Sequence, residues 1–156
     1  MKSPKTKQRK SSSIGSSRSA KYKVEMKLPM TGGCHCGALR YRVSGKPTDS
    51  GYCHCTDCQG TTGAPTTAWF VVPVKSFAYV KGAPKIYRSS AWGQREFCGH
   101  CGCQILFREQ KRAKTVSVNT PTLTRPAAAP PRRHIYDKDR IRWFNTNDSL
   151  PRKPRV

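Results

Sequence analysis

Eight cysteines fall into three tight clusters along this chain: Cys34-His35-Cys36-Gly37, Cys53-His54-Cys55-Thr56-Asp57-Cys58 and Cys98-Gly99-His100-Cys101-Gly102-Cys103. A disulfide between residues i and i+2 is strained. The same spacing suits a metal, because Zn²⁺ takes soft thiolates in a tetrahedron at about 2.3 Å and one short turn can aim two sulfurs at a single ion. In a chain without an export signal, such clusters read as metal ligands before disulfides.

Pairing Cys34 and Cys36 with Cys98 and Cys101 completes a four-sulfur shell, the mark of a structural zinc. Such a clip closes a loop of about sixty residues and adds folding energy to a small domain with a thin core. Gly102, directly after the C-x-x-C of the third cluster, permits the positive φ with which a backbone turns around a metal. The middle cluster differs. Cys53, Cys55 and Cys58 offer three thiolates and no obvious fourth partner, the pattern of a catalytic zinc with one open position for a thiolate, a carbonyl oxygen or water. The expectation is two zinc ions per chain, one structural and one catalytic. Cys103 is a rival fourth ligand for the middle set, which would make both ions structural. His35, His54 and His100 sit beside cysteines, where neighbouring side chains diverge, and are expected to be orienting or exposed.

The 156 residues suit one domain, and a hydrophobic content of 35% implies that part of the chain does not pack. Residues 1–27 hold nine Lys and Arg, one acid and a Ser-rich middle, so they are expected to form a disordered basic tail ahead of a domain at 28–156. Outside the tail, 21 Lys and Arg face seven Asp and Glu, within a whole-chain net charge of +22. That charge attracts polyanions, and the tail is a candidate for weak nucleic-acid binding. No apolar run approaches the ~18 residues of a membrane span, so no membrane partner is expected. Free thiolates suit the reducing cytoplasm, and the tail admits a nuclear address in a nucleated source.

From Thr31 onward the hydrophobic pattern has period two, and Pro29, Pro47, Pro65, Pro73 and Pro84 break any long helical reading. It predicts strands at 38–43, 67–72, 76–80, 85–88, 95–97, 104–107, 115–118 and 140–144, hence a small all-β domain. The Pro/Ala/Thr-rich stretch 119–133 reads as a surface loop crossing to the last strand. Trp69, Trp92 and Trp143 are expected in the core, although they could stack on bases if the domain bound nucleic acid.

Three segments together resemble a known family: Gly32-Gly33-Cys34-His35-Cys36-Gly37-Ala38-Leu39-Arg40-Tyr41, Cys53-His54-Cys55-Thr56-Asp57-Cys58-Gln59 and Phe97-Cys98-Gly99-His100-Cys101-Gly102. With His134-Ile135-Tyr136, Trp143, Asp148, Leu150 and Pro151, they are similar to the glutathione-dependent formaldehyde-activating enzymes, whose domain is shared with centromere protein V. The resemblance spans roughly 27–151. It implies a zinc-stabilised β-tent fold with Cys34, Cys36, Cys98 and Cys101 as structural ligands and Cys53, Cys55 and Cys58 as catalytic ones. It also implies a carbon–sulfur lyase of the S-(hydroxymethyl)glutathione synthase type, handling glutathione or another thiol as the adduct of a small aldehyde. Arg40, Arg42, Arg88, Arg95 and Arg108 are candidates for glutathione's carboxylates by charge, and His54 and Asp57 for moving protons. Three departures bear on the substrate: the basic tail, Cys103 where Ser or Thr is usual, and the Pro/Ala loop in place of a stretch that often holds an acidic pair. The alternative is a zinc-stabilised nucleic-acid or chromatin-binding module.

Overall fold

The computed structural model describes residues 26–112 and 114–156; of the basic tail expected to be disordered at 1–27, residues 1–25 lie outside the described residues. Met26, the first described residue, packs against the core.

Among the described residues, ten strands and one short α-helix follow one another: β1 Met30–Gly33, β2 Arg40–Val43, β3 Asp49–Cys53, α1 Thr56–Thr62, β4 Thr67–Pro73, β5 Phe77–Lys81, β6 Lys85–Ser90, β7 Gly93–Phe97, β8 Gln104–Glu109, β9 Thr115–Asn119 and β10 His134–Ile135. They make a three-stranded sheet, β1-β2-β5, and a seven-stranded one, β10-β3-β4-β9-β8-β7-β6. Every pairing is antiparallel except that of β10 with β3. The all-β expectation holds. Among the described residues no helix is long and apolar enough to cross a membrane.

Alternation sets which face each strand buries. In β2, Tyr41 and Val43 point inward while Arg40 and Arg42 face out. Phe70 and Val72 of β4, Ile105 and Leu106 of β8, and Val116 and Val118 of β9 share one cluster with Met30, Tyr41, Val43 and Phe77 from the smaller sheet and with Leu39 just before β2. Each such side chain contributes about 1.5–3 kcal/mol by leaving water. The two sheets therefore share one core, and the opposite face of the larger sheet remains free to build a site.

Four expectations change. Residues 140–144 are not a strand, because Arg140 donates to the Phe144 carbonyl at 2.6 Å and pairs with Asp137, closing a turn. The last strand is β10, joined to β3 through His134 and Ile135. Segment 119–133 is not a surface crossing: it folds as 3₁₀ turns at Thr120–Thr122 and Pro126–Ala128 and buries Leu123, Ala128 and Ala129. Only Trp69 is buried, while Trp92 is 43% and Trp143 76% exposed.

Candidate metal centres and their cleft

The outer pair of clusters meets as expected. The sulfurs of Cys34, Cys36, Cys98 and Cys101 all lie within 4.8 Å of one another. Cys34 and Cys36 Sγ are 3.6 Å apart and Cys36 and Cys98 Sγ 3.7 Å. A tetrahedron of sulfurs at about 2.3 Å from zinc has edges of about 3.8 Å, so the donor set fits that ion. Two turns aim the pairs: Gly37 (φ 81°) donates its N–H to the Cys34 carbonyl, and Gly102 (φ 71°) donates to the Cys98 carbonyl. Burial pushes the Cys34 thiol up, but the Leu39 N–H at 3.1 Å and contacts from Cys98 and Cys36 bring it below its usual value. Backbone N–H groups of Cys36 and Cys103 lower Cys101 to about 6.

The middle set is built by a β-turn-helix corner. Cys53 ends β3, Cys55 caps α1, accepting the Cys58 N–H on its sulfur at 3.3 Å, and Cys58 sits in the first turn. Here sulfur takes the place that Ser or Asp oxygen usually fills. The three sulfurs lie within 4.8 Å of one another, with Cys53 and Cys55 at 3.3 Å. Contacts from Cys53 and Cys55, and then the Arg95 guanidinium, lower Cys58 to about 3, while Cys55 and Cys58 drive Cys53 up. A bound metal would need all three as thiolates.

Cys103 does not complete this set. It lies beside the four-sulfur group, its thiol raised by burial and by the neighbouring Cys101, Cys34 and Cys98. Its carbonyl accepts the Cys98 N–H at 2.9 Å.

Cys53, Cys55 and Cys58 line a cleft of about 540 Å³ on the free face of the larger sheet; none of the other five cysteines does. Its floor includes a transverse row of register partners, Arg95, Phe107, Ser117, Val71 and Asp49. Of the arginines proposed for carboxylate binding, only Arg95 reaches the cleft. Arg108 pairs with Glu96, Arg40 donates to the Cys34 carbonyl, and Arg42 and Arg88 are exposed elsewhere. Arg133, supplied by the Pro/Ala segment, lies over Trp69 (5.9 Å to the ring centroid) and pairs with Asp49. Lys111 and Arg112 add charge at the rim. Periodicity could flag Trp69 and Phe107 as strand residues; nothing in the sequence marks Arg133, because its place depends on the turns that precede it.

His35 and His100 are exposed as expected, and Asp57 stands exposed in the first turn of α1. His54 is fully buried and does not line the cleft. Its Nε2 meets His134 Nδ1 at 2.7 Å, and His134 Nε2 meets both Asp148 oxygens at 3.1 Å. With Asp148 ionised and both imidazoles neutral, His134 Nε2 donates to Asp148, His134 Nδ1 accepts from His54 Nε2, and His54 Nδ1 is left a buried acceptor without a partner among the described residues. Burial and the neighbouring His134 hold the His54 pKa below its ordinary value. His54, His134 and Asp137 are close enough to hold a metal, yet the Asp137 carboxylate is engaged by Arg152 and Arg140 and the two rings by each other. The set is a latch that ties the metal loop to the C-terminal segment, where His134 also exchanges backbone hydrogen bonds with Pro151 and Lys153.

The sequence pattern of the glutathione-dependent formaldehyde-activating enzymes matches residues 29–139. The chain belongs to that family. A crystal structure of a Rhodobacter sphaeroides protein shares the fold, with a TM-score of 0.52 at 18% identity over 80% of this chain and 99% of that one. The β-tent expected from the resemblance is therefore the architecture of this family member, with both cysteine clusters suited to zinc.

Proposed function

We propose that this family member joins and separates a thiol and a small aldehyde, with glutathione and formaldehyde as the reference pair. It would act as a carbon–sulfur lyase at Cys53, Cys55 and Cys58. The observation that carries the reading is the inequality of the two sulfur sets: the three-sulfur set opens on a cleft of about 540 Å³, and the four-sulfur set does not line it. That volume lies within the range of small-molecule sites.

In the forward direction the thiol sulfur bonds to the carbonyl carbon, the C=O π pair moves to oxygen, and the proton leaving sulfur ends on that oxygen. The reverse breaks the C–S bond and returns the proton to sulfur. Zinc held by Cys53, Cys55 and Cys58 would supply charge stabilisation for a thiolate, the reactive form of a thiol. The chain's own residues do the rest. The β3–α1 corner fixes the sulfurs, Trp69 and Phe107 give the substrate an apolar wall, and Arg133 and Lys111 offer cations to its carboxylates. His54, sealed beneath the loop, acts on the loop's position rather than on substrate. The zinc at Cys34, Cys36, Cys98 and Cys101 would serve the fold alone.

The test is Cys55→Ser, assayed by exchange NMR of glutathione with formaldehyde. Loss of the catalysed exchange while the protein stays folded supports the reading. Full exchange with full zinc content contradicts it.

A second reading has its own observation. Residues 26–48 and 58–95 contain no Asp or Glu, yet carry the exposed Arg40, Arg42, Lys46, Lys75, Lys81, Lys85 and Arg88. The exposed charges on β2, β5 and β6 are therefore all positive, and support polyanion binding beside the enzymatic role. DNA affinity that falls steeply with salt supports it; an affinity flat in salt, or none, removes it.

A further inference from the structure

The arginines around the larger sheet divide by partner. Arg108, Arg112, Arg133, Arg140 and Arg152 each reach a carboxylate. Arg95 does not: among the described residues no carboxylate forms an ion pair with it, although it is only 6% exposed. Its Nε is buried without a partner, and its guanidinium lies 5.1 Å from the Phe107 ring centroid. Nη2 stands 3.9 Å from Cys58 Sγ.

A buried guanidinium without an anion is costly, and no carboxylate among the described residues pairs with it to offset that cost. The anion within reach is the sulfur set. Three thiolates around Zn²⁺ leave a net charge near −1, and a fourth, from substrate, would bring it near −2 in a partly enclosed cleft. The four-sulfur group carries the same formal charge but exposes Cys36 and Cys101, where water can screen it. The enclosed group has a fixed cation instead.

We propose that Arg95 is the counter-ion of the three-sulfur centre, a positioning residue that keeps the second zinc in place and lets the site accept an anionic sulfur as its fourth partner. This rests on the reading of that site given above. It also makes the cleft selective for thiols that bind as thiolates over neutral oxygen ligands of the same size. The register explains why this residue holds the place. Arg95 is the middle residue of β7, opposite Tyr87 and Phe107, so its side chain crosses the cleft floor toward α1, whereas the next residue, Glu96, points to the other face and pairs with Arg108.

The experiment uses the zinc-loaded full chain with Arg95→Met, which keeps an unbranched apolar stem and removes the charge, and Arg95→Lys, which keeps the charge. Release of each ion to a chromophoric chelator is followed, together with glutathione binding by calorimetry. In the Met variant the second ion is expected to leave at least about tenfold faster and glutathione to bind about tenfold more weakly, with release of the first ion unchanged; the Lys variant recovers most of both losses. Wild-type release of both ions from the Met variant overturns the proposal, as does a Lys variant no better than Met. If the wild-type protein itself fails to bind glutathione, the thiol reading of the cleft falls, and the release rate of the second ion still decides the role of Arg95.

Discussion

The two sulfur groups are made of the same atom and nearly the same local motif, yet the fold uses them differently. One joins two distant turns, at Cys34–Cys36 and Cys98–Cys101, and is completed by protein on four sides. The other lies on a single corner between β3 and α1, spans only six residues of chain and faces a cleft. A metal that ties segments 62 residues apart removes far more conformational freedom than one held inside a single turn. On the function proposed above, the first group is a matter of folding and the second a matter of chemistry.

The sharpest way to break that comparison is to remove one sulfur from each. Cys98→Ser should cost the fold several kcal/mol, since structural zinc supplies about 10–16 kcal/mol in small zinc domains. The expected outcome is loss of the cooperative thermal transition, or a Tm lower by at least about 10 °C, in calorimetry. Cys58→Ala should keep that transition within about 5 °C of wild type while aldehyde–thiol exchange falls to background, as read by exchange NMR. If both variants unfold, or both stay folded and active, the distinction fails.

Two smaller substitutions sharpen it. His134→Asn breaks the chain from His54 to Asp148 and leaves a buried ring nitrogen without its partner, so urea unfolding should show a loss of about 1–3 kcal/mol. Activity should fall less than in Cys58→Ala, because the cleft residues remain. Arg133→Gln removes a cation from the cleft rim without touching either sulfur group. It should raise KM for glutathione several-fold with kcat little changed, the mark of lost ground-state binding.

Much of this was legible in the sequence, for a physical reason. Cysteine spacing is a local property, and the coordination demands of zinc turn it into a statement about which turns must meet; Cys34, Cys36, Cys98 and Cys101 meet accordingly. Strands with clean alternation, such as Arg40–Val43, were equally readable. Strand β3 was not, because Asp49, Ser50 and Gly51 read as turn formers and become a strand only through pairing with Ala68–Val71 and with β10. Arg133 and the His54–His134–Asp148 chain stayed hidden because each joins segments about eighty residues apart, or fourteen in the case of Asp148, with no spacing rule to link them. Arg95 is one of five arginines equivalent in the sequence, and of those five only it lines the cleft of Cys53, Cys55 and Cys58.

The most direct measurement is the zinc content of freshly prepared, reduced protein, by atomic emission, for the wild type and for Cys53→Ala. Two ions per wild-type chain, falling to one in a variant that remains folded, is the result expected of two separate centres. One ion in the wild type, or the loss of both ions from the folded variant, would contradict it.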